Sequence, residues 1–275
     1  PYSSAGTMGV IQGRAGEPLF NALGALRLQD TICSAAGEMG FNATLGRRLS
    51  ADPETVSDGD LIIIWGANPA STRQHIMPFI LSAKRRGAQV VVVDPYQSRT
   101  VRWANWHLRP CPGTDTALVL GLMYVLWHEG LVDKNYLRTY TIGFPELVKQ
   151  VLPRFTPSQV ETITGVPAAE VTRLARAYAA AQAPFLLVGH ALSRYQGAGQ
   201  LFRALATLPA LPGVYGRERG GIIFSTSQGF PIDWEAVYGS DLCTGPRKEF
   251  NMLELGKALD PDAAETVRLL FVYNA

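Results

Sequence analysis

The sequence predicts an α/β protein with largely parallel sheets, and three observations carry this prediction. Short apolar, β-branched runs occur at 61–65 and 89–93, and a helical pattern from Ser71 to Arg86 separates them. A further apolar run at 185–188 is followed by a glycine-rich turn and another helical pattern. Short continuous apolar runs are typical of strands that are buried on both faces. Their alternation with helices therefore indicates βαβ units and a parallel sheet.

Length and composition define the kind of protein to expect. The chain has 275 residues, 47% hydrophobic and 17% charged, which is enough for one large α/β domain or two smaller ones with a well-buried core. The net charge is only +2 and the longest basic run is 84–86, so nucleic acid is not expected as a partner. The apolar runs are shorter than the roughly 20 residues that span a bilayer, so direct membrane insertion is not expected either. The chain begins without a methionine and stops after a strand-like run, which indicates a piece of a longer protein.

The N-terminal part contains the cysteine that matters most for function. Residues 1–29 are rich in glycine and are predicted to be mostly loop, with a short helix at 18–25. Cys33 then lies among small residues, directly before a helix predicted at 38–45. A helix N-terminus stabilises a thiolate, so this position suits a reactive or metal-binding cysteine. The alternative is a buried cysteine in a small-residue packing site, because free cysteine is among the most buried residue types.

The remaining cysteines do not change this interpretation. Cys111 and Cys243 are too far from Cys33 and from each other in sequence to suggest a disulfide framework or a CxxC metal site.

A series of amphipathic helices is predicted to cover the sheet. Proline at 167 and an acidic residue in the next turn are typical of a helix start. The predicted helices between the second and third strands are 98–105, 116–129, 133–140, 146–151, 157–164 and 168–181.

The residues that follow the two strands of the first βαβ unit are of types that bind a nucleotide. The loop Gly66-Ala67-Asn68 follows the first strand, and Asp94 ends the second. In such units the phosphates lie at the N-terminus of the helix that follows the loop, and the carboxylate binds ribose hydroxyls or a base edge. The loop lacks the GxGxxG pattern, so an ordinary NAD site is not the first interpretation.

A second unit of the same kind follows the third strand. The strand at 185–188 leads through Gly189 and the turn 196–199 into a helix predicted at 200–208. The end of the chain, 267–275, repeats the order seen at 61–68, with an apolar strand, an aromatic residue and then an asparagine. This echo predicts two related α/β halves, the second of which is cut off at its loop.

Four stretches, taken in their order and spacing, resemble one known family. They are residues 32–37, 65–70, 93–95 and 109–115, and the segments 189–197 and 271–275 give further support. Each stretch alone is a weak signal. Together, over nearly the whole chain, they resemble the central part of the molybdopterin oxidoreductases, the group that includes formate dehydrogenases, nitrate reductases and dimethyl sulfoxide reductases.

The resemblance implies a fold and a cofactor. Enzymes of this group hold molybdenum, or tungsten in some members, between two molybdopterin guanine dinucleotides. Two Rossmann-like three-layer domains with largely parallel sheets hold one dinucleotide each. We therefore expect residues 30–190 to form one α/β domain. Residues 1–29 and 191–275 are expected to form parts of a second, discontinuous domain that is truncated at the C-terminus.

The resemblance also assigns site residues. Trp65, Gly66 and Asn68, together with Asp94, match the guanosine and diphosphate site of one cofactor. Gly113 and Asp115 match further contacts to that guanosine, and His190 and Arg194 fall in the segment that reaches the pterin.

Cys33 matches the protein ligand to the metal, with Ser34 as the alternative. A thiolate is a soft, strongly donating ligand that suits such a metal, and the cofactor itself carries the redox chemistry.

The chain departs from the family in several places. The family's iron–sulfur segment is expected in an N-terminal part that is missing here, and its closing β-barrel domain is also missing, so this fragment alone is expected to be inactive. Formate dehydrogenases place a histidine after the metal ligand, whereas Ser34 stands there, which argues against formate as substrate. Ala191 and Arg194 replace a glycine and a glutamine that are common in the segment after Gly189.

Three functions of different classes follow from the sequence. The leading one is a segment of the catalytic subunit of a molybdenum or tungsten oxidoreductase. Such an enzyme acts on a small-molecule substrate by two-electron or oxygen-atom transfer and exchanges electrons with a partner subunit or carrier. The second is a non-catalytic scaffold relative of the kind found in respiratory complex I. The third is an unrelated dinucleotide-binding dehydrogenase, which the missing GxGxxG pattern disfavours.

Overall fold

Seven strands form two separate parallel sheets in the described part of the chain. A computed structural model describes residues 1–4, 9–48, 50–225, 230–243, 245–246, 248–262 and 267–273. The strands are β1 Arg27–Gln29, β2 Leu61–Trp65, β3 Gln89–Val93, β4 Trp106–Leu108, β5 Pro184–Val188, β6 Gly221–Ile223 and β7 Glu249–Asn251.

The helices are mostly short, apart from those that cover the larger sheet. They are α1 Val10–Arg14, α2 Glu17–Ala22, α3 Ala35–Leu45, α4 Pro69–Thr72, α5 Met77–Arg85, α6 Asp115–His128, α7 Lys134–Tyr140, α8 Phe144–Glu146, α9 Pro157–Thr164, α10 Ala168–Ala180, α11 Ala198–Thr207, α12 Trp234–Tyr238 and α13 Leu255–Ala258. Several 3-10 turns connect them, among them Gln74–Ile76, Arg99–Trp103 and His190–Arg194. None of the helices in the described ranges is long and apolar enough to cross a bilayer.

The chain divides into two units. Residues 36–229 form one, called here the central unit, and residues 1–35 with 230–275 form the other, called the terminal unit. The predicted boundaries at 29/30 and 190/191 therefore lie elsewhere. The reason is that β6 pairs with β5 in parallel, so the chain from 191 to 223 completes the sheet of the central unit.

The central unit is a five-stranded parallel sheet in the order β4-β3-β2-β5-β6. Strand β2 pairs with β3 on one side and with β5 on the other, so that Ile63 lies opposite both Val91 and Leu186. This is the strand order of a doubly wound, Rossmann-like sheet. The predicted α/β class with parallel sheets is confirmed.

Side chains of β2 alternate between two cores, because successive residues of a strand point to opposite faces. Ile63 and Trp65 lie in a core with α6, α9, α10 and α11, whereas Ile62 and Ile64 lie in a second core with α5. All five residues of β2 are buried. Since both faces of the sheet are covered, its strands need continuous apolar sequence, which is the pattern that predicted them.

The helix predicted from Ser71 to Arg86 is interrupted. Helix α4 ends at Thr72, a 3-10 turn follows, and α5 begins at Met77 with Pro78 in its first turn. Proline has no N–H to donate and its ring clashes with the preceding turn, so it starts a new helix rather than continuing one. The helix after the Gly66 loop therefore has only four residues.

The terminal unit contains a two-stranded parallel sheet. β1 pairs with β7, with Leu28 opposite Phe250. The strand predicted at 267–275 is wrong for its described residues, where Val272 makes only a single parallel bridge with Tyr2. Asn274 and Ala275 lie outside the described residues.

Gly189→Ala is expected to destabilise the central unit. Gly189 N–H donates to the Trp65 carbonyl at 2.8 Å, and an added Cβ would overlap the carbonyl oxygen of Gly66. Backbone on both sides leaves no flexible group to yield, so we expect a loss of about 3 kcal/mol or more. Thermal unfolding of the protein measures this.

Gly199→Ala is the matched control for that substitution. Gly199 lies in α11, and its added Cβ would meet nothing closer than the Ala36 carbonyl oxygen at 3.8 Å. Alanine favours a helix over glycine by about 1 kcal/mol. Equal unfolding temperatures for the two variants would show that the Gly189 contact is not tight.

Candidate functional site

The candidate site lies at the carboxyl edge of the central sheet, between β2 and β5. The chain leaves β2 towards β3 on one side, while β5 begins the strands on the other side. Ligands of open α/β sheets bind in the crevice at such a switch point. The segments that follow β2, β3 and β5 contain predicted site residues, which the fold brings to one edge.

Two glycines lie directly after β2 and β5, at the carboxyl edge of the sheet. Gly66 has φ +58, and an added Cβ there would collide with the Leu192 side chain. Its N–H donates to the Val93 carbonyl at 2.9 Å, and Gly189 is held against the same turn. Left-handed backbone and close packing explain the glycine at position 66, and close packing alone explains the glycine at position 189.

The Asn68 side chain is held by a residue that the sequence did not single out. Thr100 is fully buried, and its hydroxyl donates to Asn68 Oδ1 at 2.7 Å. The Ala70 N–H donates to the same hydroxyl at 3.2 Å. In the described part of the chain, Asn68 Nδ2 has no hydrogen-bond partner. Asn68 therefore keeps donor capacity at the edge of the sheet.

Asp94 follows β3 and uses one carboxylate oxygen within the protein. The Tyr96 N–H donates to its Oδ1 at 2.8 Å, and its carbonyl accepts the His107 ring nitrogen at 2.8 Å. Burial raises the pKa of Asp94 above its usual value, and the bond from Tyr96 and the charge of His107 offset part of that rise. Its second oxygen is suited to accept hydrogen bonds from a base edge or from hydroxyls.

Trp65 and Asp115 bond to each other. The Trp65 Nε1–H donates to Asp115 Oδ1 at 2.7 Å, and both side chains are buried. Burial raises the pKa of Asp115, and the bond from Trp65 offsets part of the rise. The pair thus joins β2 to the start of α6, and the Trp65 ring packs in the core rather than lining the crevice.

Gly113 and Arg194 lie on exposed loops. Gly113 has φ +83, and a Cβ there would meet the Tyr195 ring at 3.6 Å. Arg194, the neighbour of that tyrosine, ends the 3-10 turn that follows β5. The loop before α6 and the segment after β5 therefore meet at Tyr195.

His190 is half-buried and surrounded by positive charge. Its ring lies 4.6 Å from the Phe224 ring, centroid to centroid. Its Nδ1 is buried and has no hydrogen-bond partner within the described part of the chain. Burial lowers the pKa of His190, the charges of Arg73, Arg48 and Arg194 lower it further, and Glu38 offsets part of this. His190 is therefore a neutral imidazole at pH 7.

Arg73 is a second residue that the sequence did not single out. Its guanidinium donates to the Phe224 carbonyl at 2.7 Å, and burial lowers its pKa from the ordinary value. No carboxylate pairs with it among the described residues. A partly buried cation without a counter-ion is costly, and an anionic ligand removes that cost.

Cys33 belongs to the terminal unit and is exposed. This excludes the alternative of a buried packing cysteine. Two residues earlier, Thr31 is tied to β7 and the following turn, through its hydroxyl to Asn251 Oδ1 at 2.5 Å and its N–H to the Met252 sulfur at 3.2 Å. Helix α3 begins two residues later, at Ala35. No cluster of three or more His, Cys, Asp or Glu side chains suited to a metal occurs within the described ranges.

The comparisons with known proteins agree on one family. A family model for the molybdopterin oxidoreductases matches residues 2–258. A probable oxidoreductase, YoaE, of Bacillus subtilis is 36% identical, covering 100% of this chain and 40% of that protein. Formate dehydrogenase H of Escherichia coli is 32% identical over 61% of this chain and 23% of that protein. This chain thus spans less than half of the length of these relatives.

A solved structure supports the fold. The acetylene hydratase of Pelobacter acetylenicus aligns with a TM-score of 0.63 at 22% identity, covering 73% of this chain and 28% of that chain. At this identity the likeness concerns the fold alone.

Removing the Trp65 donor is expected to destabilise the protein. Trp65→Phe leaves the buried Asp115 carboxylate without its partner, so we expect a loss of roughly 3 kcal/mol from the missing bond and the smaller ring. Chemical denaturation at pH 7 measures this.

The pH dependence provides the control for that experiment. Because the folded pKa of Asp115 is raised, its contribution to stability is present below the unfolded pKa and is lost as pH rises through the folded value. Asp115→Asn is expected to remove that loss, so its unfolding free energy falls less than that of the wild type between acid and neutral pH. Parallel pH profiles for both proteins would contradict this.

Proposed function

The chain belongs to the molybdopterin oxidoreductase family, and we propose that it forms part of the catalytic subunit of a molybdenum or tungsten oxidoreductase. This enzyme holds two molybdopterin guanine dinucleotides and performs two-electron or oxygen-atom transfer on a small substrate. The observation that carries the proposal is the set of polar groups that the fold leaves available at the switch point between β2 and β5.

These polar groups fit a guanosine diphosphate moiety. A guanine edge presents N–H donors. When Asp94 is ionised, its second carboxylate oxygen is free of a proton and accepts hydrogen bonds from such donors. A diphosphate needs donors and positive charge, which Asn68 Nδ2 and the guanidinium of Arg73 supply. With only four residues in α4, side-chain donors rather than a helix terminus bind the phosphates.

The charge state of Asp94 makes nucleotide retention sensitive to acid. Only the ionised carboxylate accepts hydrogen bonds at both oxygens. Because burial raises the pKa of Asp94, protonation begins at a higher pH than for an exposed aspartate. The hold on the base therefore weakens as pH falls through the raised pKa of Asp94.

His190 and Arg194 extend the site beyond the nucleotide. A neutral imidazole offers one donor and one acceptor without adding charge, and the described residues provide no hydrogen-bond partner for its Nδ1. We assign these two residues to the pterin side of the cofactor. Gly113 and Asp115 keep loops of the guanosine side in place, Gly113 by its left-handed backbone and Asp115 through its bond to Trp65.

Cys33 is the residue that we assign to the metal, with Ser34 as the alternative. When bound, the metal and its pterin dithiolenes supply the two-electron chemistry. An exposed thiol on a segment tied down at Thr31 meets the needs of a single protein ligand. We also propose that the terminal unit is part of a second α/β domain for the other dinucleotide, and that an electron-transfer subunit or carrier and an iron–sulfur cluster serve the complete enzyme.

Metal and nucleotide analysis of the full-length protein tests the proposal. We expect molybdenum or tungsten, together with about two guanines per metal after acid release. Inductively coupled plasma mass spectrometry and chromatography of the released nucleotides measure both. Absence of both metal and guanine would favour a non-catalytic scaffold, and bound NAD(P) would favour a dehydrogenase.

Cys33→Ala separates catalysis from cofactor binding. We expect turnover to fall by more than about 100-fold, since even residues that only support a metal ligand contribute 10- to 100-fold, while the guanine content stays unchanged. The readouts are turnover with an artificial electron donor or acceptor and guanine per protein.

Cys111→Ala is the matched control, because this cysteine is also exposed but lies in the central unit. It is expected to leave turnover unchanged. If Cys33→Ala also left turnover unchanged, the metal ligand would be Ser34 or another residue.

A further inference from the structure

The hydrogen bonds around Thr100 hold the Asn68 carboxamide by its oxygen. The Ala70 N–H donates to the Thr100 hydroxyl at 3.2 Å, so that oxygen is an acceptor in this bond. The hydroxyl donates its one proton to Asn68 Oδ1 at 2.7 Å. An amide has an acceptor end and a donor end. In this arrangement Thr100 occupies the acceptor end of Asn68 and leaves the donor end available.

The consequence concerns the free end of Asn68. With Oδ1 occupied by Thr100, the amide N–H groups are the part of the side chain left for a ligand, and they have no partner among the described residues. Asn68 is half-buried at the start of α4. A turned amide would place its N–H groups against Thr100 and present an oxygen to the ligand, which would repel phosphate.

From this geometry we propose that Thr100 is a positioning residue. It orients the Asn68 carboxamide so that Nδ2 donates to an oxygen of the bound nucleotide. The inference rests on the proposed function of this crevice. It adds a residue that lies 32 positions from Asn68 in sequence, that is fully buried, and that does not itself contact the ligand.

Two substitutions of Thr100 distinguish the role of its hydroxyl group from the role of its side-chain packing. Thr100→Val keeps the branched side chain and removes the hydroxyl, whereas Thr100→Ser keeps the hydroxyl and removes a methyl group. With valine, Asn68 Oδ1 loses its donor and the amide is free to turn. With serine, both hydrogen bonds are retained.

The experiment is a double-mutant cycle on the full-length holoenzyme, read as the rate at which guanine nucleotide leaves the protein in mild urea. We expect Thr100→Val to raise this rate about tenfold, the equivalent of one well-placed hydrogen bond to a charged group. Thr100→Ser is expected to stay within about twofold of the wild type. In an Asn68→Ala background, Thr100→Val is expected to raise the release rate by less than about twofold, because the amide that Thr100 orients is already absent.

Each outcome decides between two explanations. A tenfold effect of Thr100→Val that persists in the Asn68→Ala background would show a purely structural role and overturn the inference. Equal release from the serine and valine variants would overturn it as well. If the wild-type holoenzyme releases no guanine at all, the proposed function itself is wrong, which is distinct from failure of the cycle in a guanine-containing enzyme.

Discussion

The close approach of β2 and β5 at their carboxyl ends is the constraint on which the candidate site depends. The Gly189 N–H donates to the Trp65 carbonyl, and the space beyond it holds no Cβ because the Gly66 carbonyl lies there. The two segments that follow β2 and β5 separate only after this contact. The loops that carry Asn68 and His190 therefore start side by side, although more than a hundred residues, including β3, β4 and several helices, lie between them in sequence.

Polar groups at this edge divide into two classes with different energetic roles. Trp65 and Asp115 satisfy each other inside the core, so their bond stabilises the fold. Asn68 Nδ2, His190 Nδ1 and the Arg73 guanidinium keep capacity that the described protein groups do not use. Polar groups without partners lower the stability of a fold. The second class therefore distinguishes this edge of the sheet as the candidate site.

The sequence predicted the longer strands and helices well, and it predicted the shortest strands and the tertiary hydrogen bonds poorly. Strands β2 and β3 and helix α9 have the predicted bounds, because their sequence signals are local. The strands are β-branched runs, and the structure shows a capping box at Thr156 where α9 begins. Strands β4 and β6 have three residues each, which is too few for a periodic pattern to show. The apolar spacing predicted one helix from Ser71 to Arg86, but a new helix begins at Met77 with Pro78 in its first turn. Asp94 was visible because it ends a strand. Thr100 and Arg73 were not, since their roles arise from bonds to residues distant in sequence.

The pairing of β1 with β7 has a consequence for how the protein is made. Arg27 lies opposite Glu249, so this sheet joins segments from the two ends of the chain. During synthesis β1 leaves the ribosome before β7 and cannot pair until β7 has been made. Closing so long a loop is entropically costly for an unfolded chain. The segment of Cys33, anchored at Thr31 to Asn251, thus acquires its position only after residue 251 has been synthesised.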